Sequence, residues 1–425
     1  MIVIFALFLA LMALGFPVAF AMLVAALFHI VTTTGVDLII VPQQLQDGLN
    51  SFPLLAVPFF ILTGSLMAEA GVIHRVASLA QALIGHIRGG LAHTVVLAGT
   101  LMAGVSGSGT ADAAALGSTM IPALDRAGYD RRFAVALTAC AGALGPVIPP
   151  SIVLIIYGAM GNVSIGRLFL AGIIPGLLMA VVLMVVSHVL VVRTNFGAPL
   201  PRASPRERCR ALVHSALDLV LPLGIVGGIR WGVFTPTEAG AIATAYVLLI
   251  GTLVYRTLGI EQIMKACHET VIVLGSVMLL IATASLIHYI LALYQAADRV
   301  AALVTEFSSS SLVFLLLANL LVLILGCVME VTAVLVLLTP ILVPILPQFG
   351  IDPVHFGIVL CVNLTIGLIT PPVGLAMFVT CSIGQISVEA FTRTVWPFLL
   401  ALGGLLVVLI LVPDLSLWLP HVLMN

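Results

Sequence analysis

Gly145-Pro146-Val147-Ile148-Pro149-Pro150 interrupts one long apolar stretch of the chain. Gly367-Leu368-Ile369-Thr370-Pro371-Pro372 interrupts another, 222 positions later. The same offset joins Gly104 to Gly326, Pro122 to Pro344, Gly128 to Gly350, Asp130 to Asp352 and Pro175 to Pro397. An ungapped match that keeps mainly helix-breaking residues describes two copies of one unit. In lipid such breaks survive only where the freed backbone groups find partners. Interrupted helices in corresponding positions of two halves point to the binding site of a transporter.

The rest of the composition supports a membrane setting. Of 425 residues, 62% are hydrophobic and 8% charged. So few charges cannot cover the surface of a soluble domain. Apolar runs of about 18 residues or more recur from end to end, each long enough for a bilayer core of about 30 Å. Strict polar/apolar alternation is lacking, which excludes a β-barrel. A net charge of −1 gives no footprint for nucleic acid. The six cysteines form no CxxC and no pairing with histidine, and read as apolar filler or free thiols. The first apolar run lacks a basic n-region and is followed by further spans, so it reads as a retained helix.

Positive charge marks cytoplasmic loops. The densest cluster, Arg193, Arg202, Arg206, Arg208 and Arg210 with Pro199, Pro201 and Pro205, reads as a cytoplasmic linker between the halves. Arg75 and Arg88 flank a short, mildly polar segment. Arg126, Arg131 and Arg132 form a third cluster, and Arg256 and Lys265 a fourth. Arg88 and Arg126 both read as cytoplasmic, yet the apolar stretch between them is too short for two full crossings of about 20 residues each. A re-entrant hairpin resolves this, with its tip at the polar, glycine-rich stretch Gly104–Asp112. The second copy places a tip at Gly326–Thr332. Its flanks, near Asp298–Glu306 and Gln348–His355, carry almost no positive charge, so it should enter from the opposite side.

The expectation is therefore an all-α polytopic membrane protein with an inverted structural repeat, two re-entrant hairpins and two Pro-Pro-broken helices. Residues 1–192 form the first repeat, with a hairpin over about 89–125 and a broken helix over about 132–160. Residues 193–236 supply the basic linker and an extra helix, and 237–425 the second repeat, with a hairpin over about 311–346 and a broken helix over about 353–380. About nine full spans accompany the hairpins, with the N-terminus cytoplasmic and the C-terminus on the far side.

The chemistry should sit at the tips and breaks. Ser106, Ser108 and Thr110 offer hydroxyls, and Gly107 and Gly109 let carbonyls turn inward. Uncoiled carbonyls with hydroxyls suit Na⁺, while half-helix N-termini suit an anionic group. A Gly/Ser packing motif is the plain alternative. Pro149 and Pro150 remove two donors, freeing carbonyls near Gly145, with Ser151 adding a hydroxyl; Pro371 and Pro372 do the same near Gly367 and Thr370. A structural kink is the alternative there. Glu330 falls mid-membrane, where an ionisable group is costly unless paired. It could bind Na⁺, carry a proton or bond Thr332. Asn363 and Thr365 could line the same cavity or bond between helices. Asp112 aligns with Val334, so the halves differ chemically. Histidine spacing gives no metal site, GxxxxGK[ST] is absent, and Ser108 breaks a GxSxG match. No enzyme is indicated.

At these residues the chain resembles the large membrane subunit of tripartite ATP-independent periplasmic (TRAP) transporters, the DctM-type family. Eight motifs carry the resemblance in order: Leu14–Phe20, Pro58–Gly64, Gly85–Ala92, Ser106–Asp112, Gly145–Ser151, Phe234–Gly240, Gly350–Gly357 and Thr370–Gly374. The resemblance implies a Na⁺-driven importer of small organic anions, carboxylates such as C4-dicarboxylates or sialic acid, in the bacterial inner membrane. It implies a periplasmic substrate-binding protein (DctP-type), a small four-helix membrane subunit (DctQ-type) and an elevator motion of the hairpin domain. Family Na⁺ sites map onto Ser106, Ser108, Gly145, Glu330, Thr332, Gly367 and Thr370. No cofactor beyond that coupling ion is implied. The family often has Asp where Glu330 stands, and Asn-Leu-Phe-Val where Ala376-Met377-Phe378-Val379 stands. A stand-alone carboxylate symporter is the nearest alternative, and a channel or membrane scaffold the more distant one.

Overall fold

The computed structural model describes residues 2–194, 196–197, 201–307 and 310–424. Every regular element among them is helical. Among the described residues, seven helices are long and apolar enough to cross a membrane: Phe52–Glu69, Ile165–Thr194, Pro205–Arg230, Pro236–Val254, Ile260–Leu293, Val331–Phe349 and Val388–Leu411. Apolar length alone suggested about nine. Part of the difference lies at the N-terminus, where Gly15 takes φ +85° and Pro17 follows. They split the first apolar run into Ile2–Ala13 and Val18–His29, 12 residues each. The first piece is only about 18 Å long, and the second continues through a π-helical turn to Thr34.

The repeated residues act as helix punctuation. Gly128 and Gly350 both adopt positive φ, at +82° and +64°, a conformation open to glycine at little cost. Two residues later Asp130 accepts from the amide of Arg132 at 2.7 Å, and Asp352 accepts from Val354 at 2.7 Å. Each aspartate thereby caps the helix that follows, Arg131–Gly142 or Pro353–Leu368. These two helices form the centre of the molecule. Residues Phe133 to Gly142 are all buried, as are Val354 to Leu368. Tyr157, fully buried, joins the units by donating its hydroxyl to the Pro353 carbonyl at 2.6 Å.

The outer helices show a different face. Leu177, Val181, Val185, Val189 and Val192 are exposed on Ile165–Thr194. Their spacing places them along one side of the helix. Such a stripe is a liability in water and ordinary in lipid, whose tails are as apolar as leucine.

Two regions differ from expectation. The basic linker is helical at both ends, with Arg202 in the non-helical stretch 201–204. Arg193 ends Ile165–Thr194, and Arg206, Arg208 and Arg210 lie in the first turns of Pro205–Arg230, begun by a Ser204–Glu207 capping box. Pro199 lies outside the described residues, as does the side chain of Glu306. Arg75, read among the charges that mark cytoplasmic loops, is instead half-buried and paired. Its guanidinium clasps Asp218 through two bonds of 2.7 and 3.1 Å, donates to the Ala70 carbonyl at 2.8 Å and lies 3.8 Å from the Tyr255 ring centre. The clamp ties the helix Val72–Ile84, which leads into the first hairpin, to Pro205–Arg230.

Candidate functional site

The first tip joins the helices Gly90–Ser106 and Gly109–Arg126, of 17 and 18 residues. Gly107 makes the turn at φ +62°. Ser106 Oγ donates to Asp112 Oδ1 at 2.5 Å and accepts from the Ser108 amide at 3.2 Å. Asp112 is fully buried, and its other oxygen, Oδ2, has no protein partner. A buried carboxylate oxygen without a donor is costly. It therefore marks a place for a proton or a cation.

The first break lies directly against this tip. The helix Arg131–Gly142 ends, the chain runs uncoiled, and Ile152–Gly161 begins. Pro149 cannot donate to the Gly145 carbonyl, nor Pro150 to that of Pro146. Ser151 repairs the second deficit by donating its hydroxyl to Pro146 O at 2.6 Å, and it caps the next helix through the Leu154 amide. A β-carbon on Gly145 would stand 2.9 Å from Asp112 Oδ2, and one on Gly107 would stand 2.7 Å from the Pro150 carbonyl oxygen. Glycine at both positions lets tip and break touch through their backbones.

The second unit is arranged similarly with other side chains. Ser311–Gly326 and Val331–Leu342 are joined through Cys327–Glu330. Thr332 Oγ1 donates to Glu330 Oε1 at 2.9 Å. The break follows Pro353–Leu368, and the helix resumes at Leu375. Thr370 Oγ1 donates to the Ile366 carbonyl at 2.6 Å, while its amide serves the Gly367 carbonyl at 3.1 Å in place of Pro371. The Val373 amide reaches across to the Cys327 carbonyl at 3.1 Å, and a β-carbon on Gly367 would meet Gly326 O at 2.8 Å. Both Pro-Pro bonds, Pro149-Pro150 and Pro371-Pro372, are cis.

The units meet at Gly109, where a β-carbon would fall 2.7 Å from the Leu368 side chain and 3.2 Å from Pro146. Thr110 lies half-buried in the first turn of the same helix. Asn363 and Thr365 are engaged in helix packing. Asn363 Nδ2 donates to the Asn319 carbonyl and to Asn319 Oδ1, both at 2.8 Å, and Thr365 donates to the Cys361 carbonyl at 2.9 Å.

Sequence reasoning missed the opposite wall. A cavity of about 150 Å³ separates the first tip from two long helices, Phe52–Glu69 and Ile260–Leu293. Ser106, Ser108 and Asp112 line one side; Gly64, Ser65 and Glu269 line the other. Gly64 stands in a motif noted above, and a β-carbon there would meet the Ser106 Cα at 3.2 Å. Ser65 and Glu269 carry no local signal, because only the fold brings them to the tip.

Helix–turn–helix tips set against uncoiled proline breaks, inside a shell of apolar helices, define a multi-pass membrane protein built like a transporter. The chain belongs to the family described as "Tripartite ATP-independent periplasmic transporter, DctM component", which it matches over residues 5–415. It is a large permease of the TRAP type. It is 42% identical over 417 residues to the sialic acid TRAP transporter large permease protein SiaM of Vibrio cholerae, covering 98% of this chain and 97% of that one. It is 41% identical over 378 residues to the C4-dicarboxylate TRAP transporter large permease protein DctM of Pseudomonas aeruginosa, covering 89% and 88%. The YdaH transporter of Alcanivorax borkumensis shares the fold, with a TM-score of 0.64 at 17% identity over 88% of each chain.

Proposed function

We propose that this chain is the translocating subunit of a Na⁺-coupled importer of small organic anions in the bacterial inner membrane. One observation carries the coupling. Each proline break lies against a tip that bears a carboxylate, Asp112 in the first unit and Glu330 in the second. The breaks offer backbone carbonyls, the tips offer hydroxyls, and Asp112 Oδ2 awaits a positive partner. Hard oxygen ligands of this kind suit Na⁺. Ser106, Ser108, Asp112 and Gly145 would hold one ion, and Glu330, Thr332, Gly367 and Thr370 another.

The substrate class follows from the relatives, which are named as sialic acid and C4-dicarboxylate transporters. Both are carboxylates. Cations at the tips would offset the charge of such a substrate in a low-dielectric site. On this reading the two units are inverted, their hairpins are re-entrant, and the hairpins and breaks move together as an elevator against the long helices. The N-terminus is cytoplasmic and the C-terminus periplasmic. A periplasmic binding protein delivers the substrate, and a small four-helix subunit braces the permease. The apolar stripe on Ile165–Thr194 suits either lipid or that subunit.

The test is uptake into proteoliposomes with the small subunit and the binding protein supplied. Uptake should require an inward Na⁺ gradient and the binding protein. Ser106→Ala, Glu330→Ala and Thr370→Ala should each weaken the Na⁺ dependence without loss of expression. Uptake without the binding protein would favour a stand-alone symporter. Unchanged Na⁺ dependence in all three variants would refute the site. For the topology, cysteine at Arg126 should label from the cytoplasm and cysteine at Gln348 from outside; the reverse would invert it.

A further inference from the structure

The cavity beside the first tip has an ionic character of its own. Among its described lining residues are two carboxylates, Asp112 and Glu269, and no arginine, lysine or histidine. Asp112 is fully buried with an unpartnered oxygen, whereas Glu269 is exposed on Ile260–Leu293. The cavity lining therefore holds an exposed carboxylate and a buried one, together with Ser65, Ser106 and Ser108.

We infer that Glu269 is a cation-access residue: it concentrates a monovalent cation at the cavity mouth and passes it to the first tip. The inference rests on the ion-site reading above and extends it to the opposite, non-hairpin wall. The nearest positive charge in sequence is Lys265, one turn earlier on the same helix. Its ammonium bonds Glu69 Oε1 at 2.7 Å. Two carboxylates then share one ammonium, and the mouth stays negative. Low-dielectric walls focus such a field and raise the local concentration of cations. The same field repels a free organic anion, so this route serves the ion rather than the substrate. Glu269 is a positioning residue and makes no contact with the tip-bound ion.

The test uses the permease with its small subunit in nanodiscs and reads thermal stabilisation against Na⁺ concentration, at constant ionic strength with choline chloride. Glu269→Gln should raise the half-maximal Na⁺ concentration about three-fold, and Glu269→Lys about ten-fold. Glu269→Asp should restore the wild-type value. Raising choline chloride to about 1 M should shrink these differences, because the Debye length falls to about 3 Å. The position is exposed, so all three variants should fold. A wild-type half-maximal value in Glu269→Lys would overturn the inference. Asp112→Asn separates the two readings. If Na⁺ stabilises the wild type and not Asp112→Asn, the ion site stands whatever Glu269 does. If Na⁺ stabilises neither, the ion site itself fails, and this inference with it.

Discussion

The two tip–break units share a backbone plan and differ in almost everything attached to it. In the first, the break is buried: Pro149, Pro150 and Ser151 are closed off, and Asp112 lies fully inside. In the second, Pro371 is half-buried, Pro372 and Val373 are exposed, and Glu330 is only partly covered. The first tip turns on Gly107 at positive φ; its counterpart 222 positions on is Met329. The first unit closes around its carboxylate, and the second leaves an open side. The duplicated residues therefore set where helices stop and start, while the unduplicated ones set which unit can yield.

The largest effect should come from the carboxylates. Asp112 is held in one position, since Gly145 approaches Oδ2 and Ser106 holds Oδ1. Asp112→Glu should abolish Na⁺-dependent uptake by moving the carboxylate off Ser106 and into the space beside the tip, and Asp112→Asn through loss of charge. Glu330 has an open side, so Glu330→Asp should retain uptake within about ten-fold, about 1.4 kcal/mol of lost stabilisation. Equal losses for Asp112→Glu and Glu330→Asp, measured as initial rates against Na⁺, would erase the contrast between the units.

Next comes the approach to each hairpin. The clamp Arg75–Asp218 fixes the helix before the first, with Arg75 and Asp218 side chains 9% and 1% exposed. The counterpart of Arg75 is Ala297, on Ala296–Phe307 before the second hairpin. Breaking a buried pair leaves an uncompensated charge and costs about 3–5 kcal/mol. Arg75→Ala should thus lower the melting temperature sharply, and adding Asp218→Asn should recover part of the loss. Arg299→Ala, on the second approach helix, should change it little. A small effect of Arg75→Ala would mean that both approaches are equally free.

The turn itself gives a smaller effect. Gly107→Ala meets the left-handed penalty of about 1–2 kcal/mol and a β-carbon 2.7 Å from the Pro150 carbonyl. Met329→Leu faces no such conformational demand and keeps the buried volume. Thermal unfolding of the pair should show a clear loss for the first and little change for the second.

Much of this was legible in the sequence because helix punctuation is local. A glycine at positive φ, an aspartate cap and a Pro-Pro break act within a few residues, so Gly128, Asp130 and Pro149 could be read in place. The helix breaks at Gly107 and at Cys327–Glu330 were legible for the same reason. Arg75 was misread because a charge near an apolar run looks like a loop marker until its partner is known, and Asp218 lies 143 positions away. Asn363 was left open between cavity and packing; Asn319, on a different helix, takes its Nδ2, while its Oδ1 is buried without a partner. Ser65 and Glu269 had no local mark, because their role depends on which helices face the first tip.

The smallest effect concerns how the two units are held together. Tyr157 belongs to the helix after the first break, and Pro353 starts the helix before the second. The tyrosine hydroxyl must donate, since the Pro353 carbonyl can only accept. Gly357 lets the ring lie close, for a β-carbon there would meet it at 2.3 Å. Tyr157→Phe keeps the ring and removes one buried bond, worth about 1 kcal/mol. The melting temperature should fall by about 1–2 °C in a chain of this length. The contrast lies in transport: if the units move as one body, uptake should be unaffected by so small a change in their joint. A several-fold change in uptake rate with that small thermal shift would show that the units move against each other, and the difference in their exposure would then mark a hinge between them.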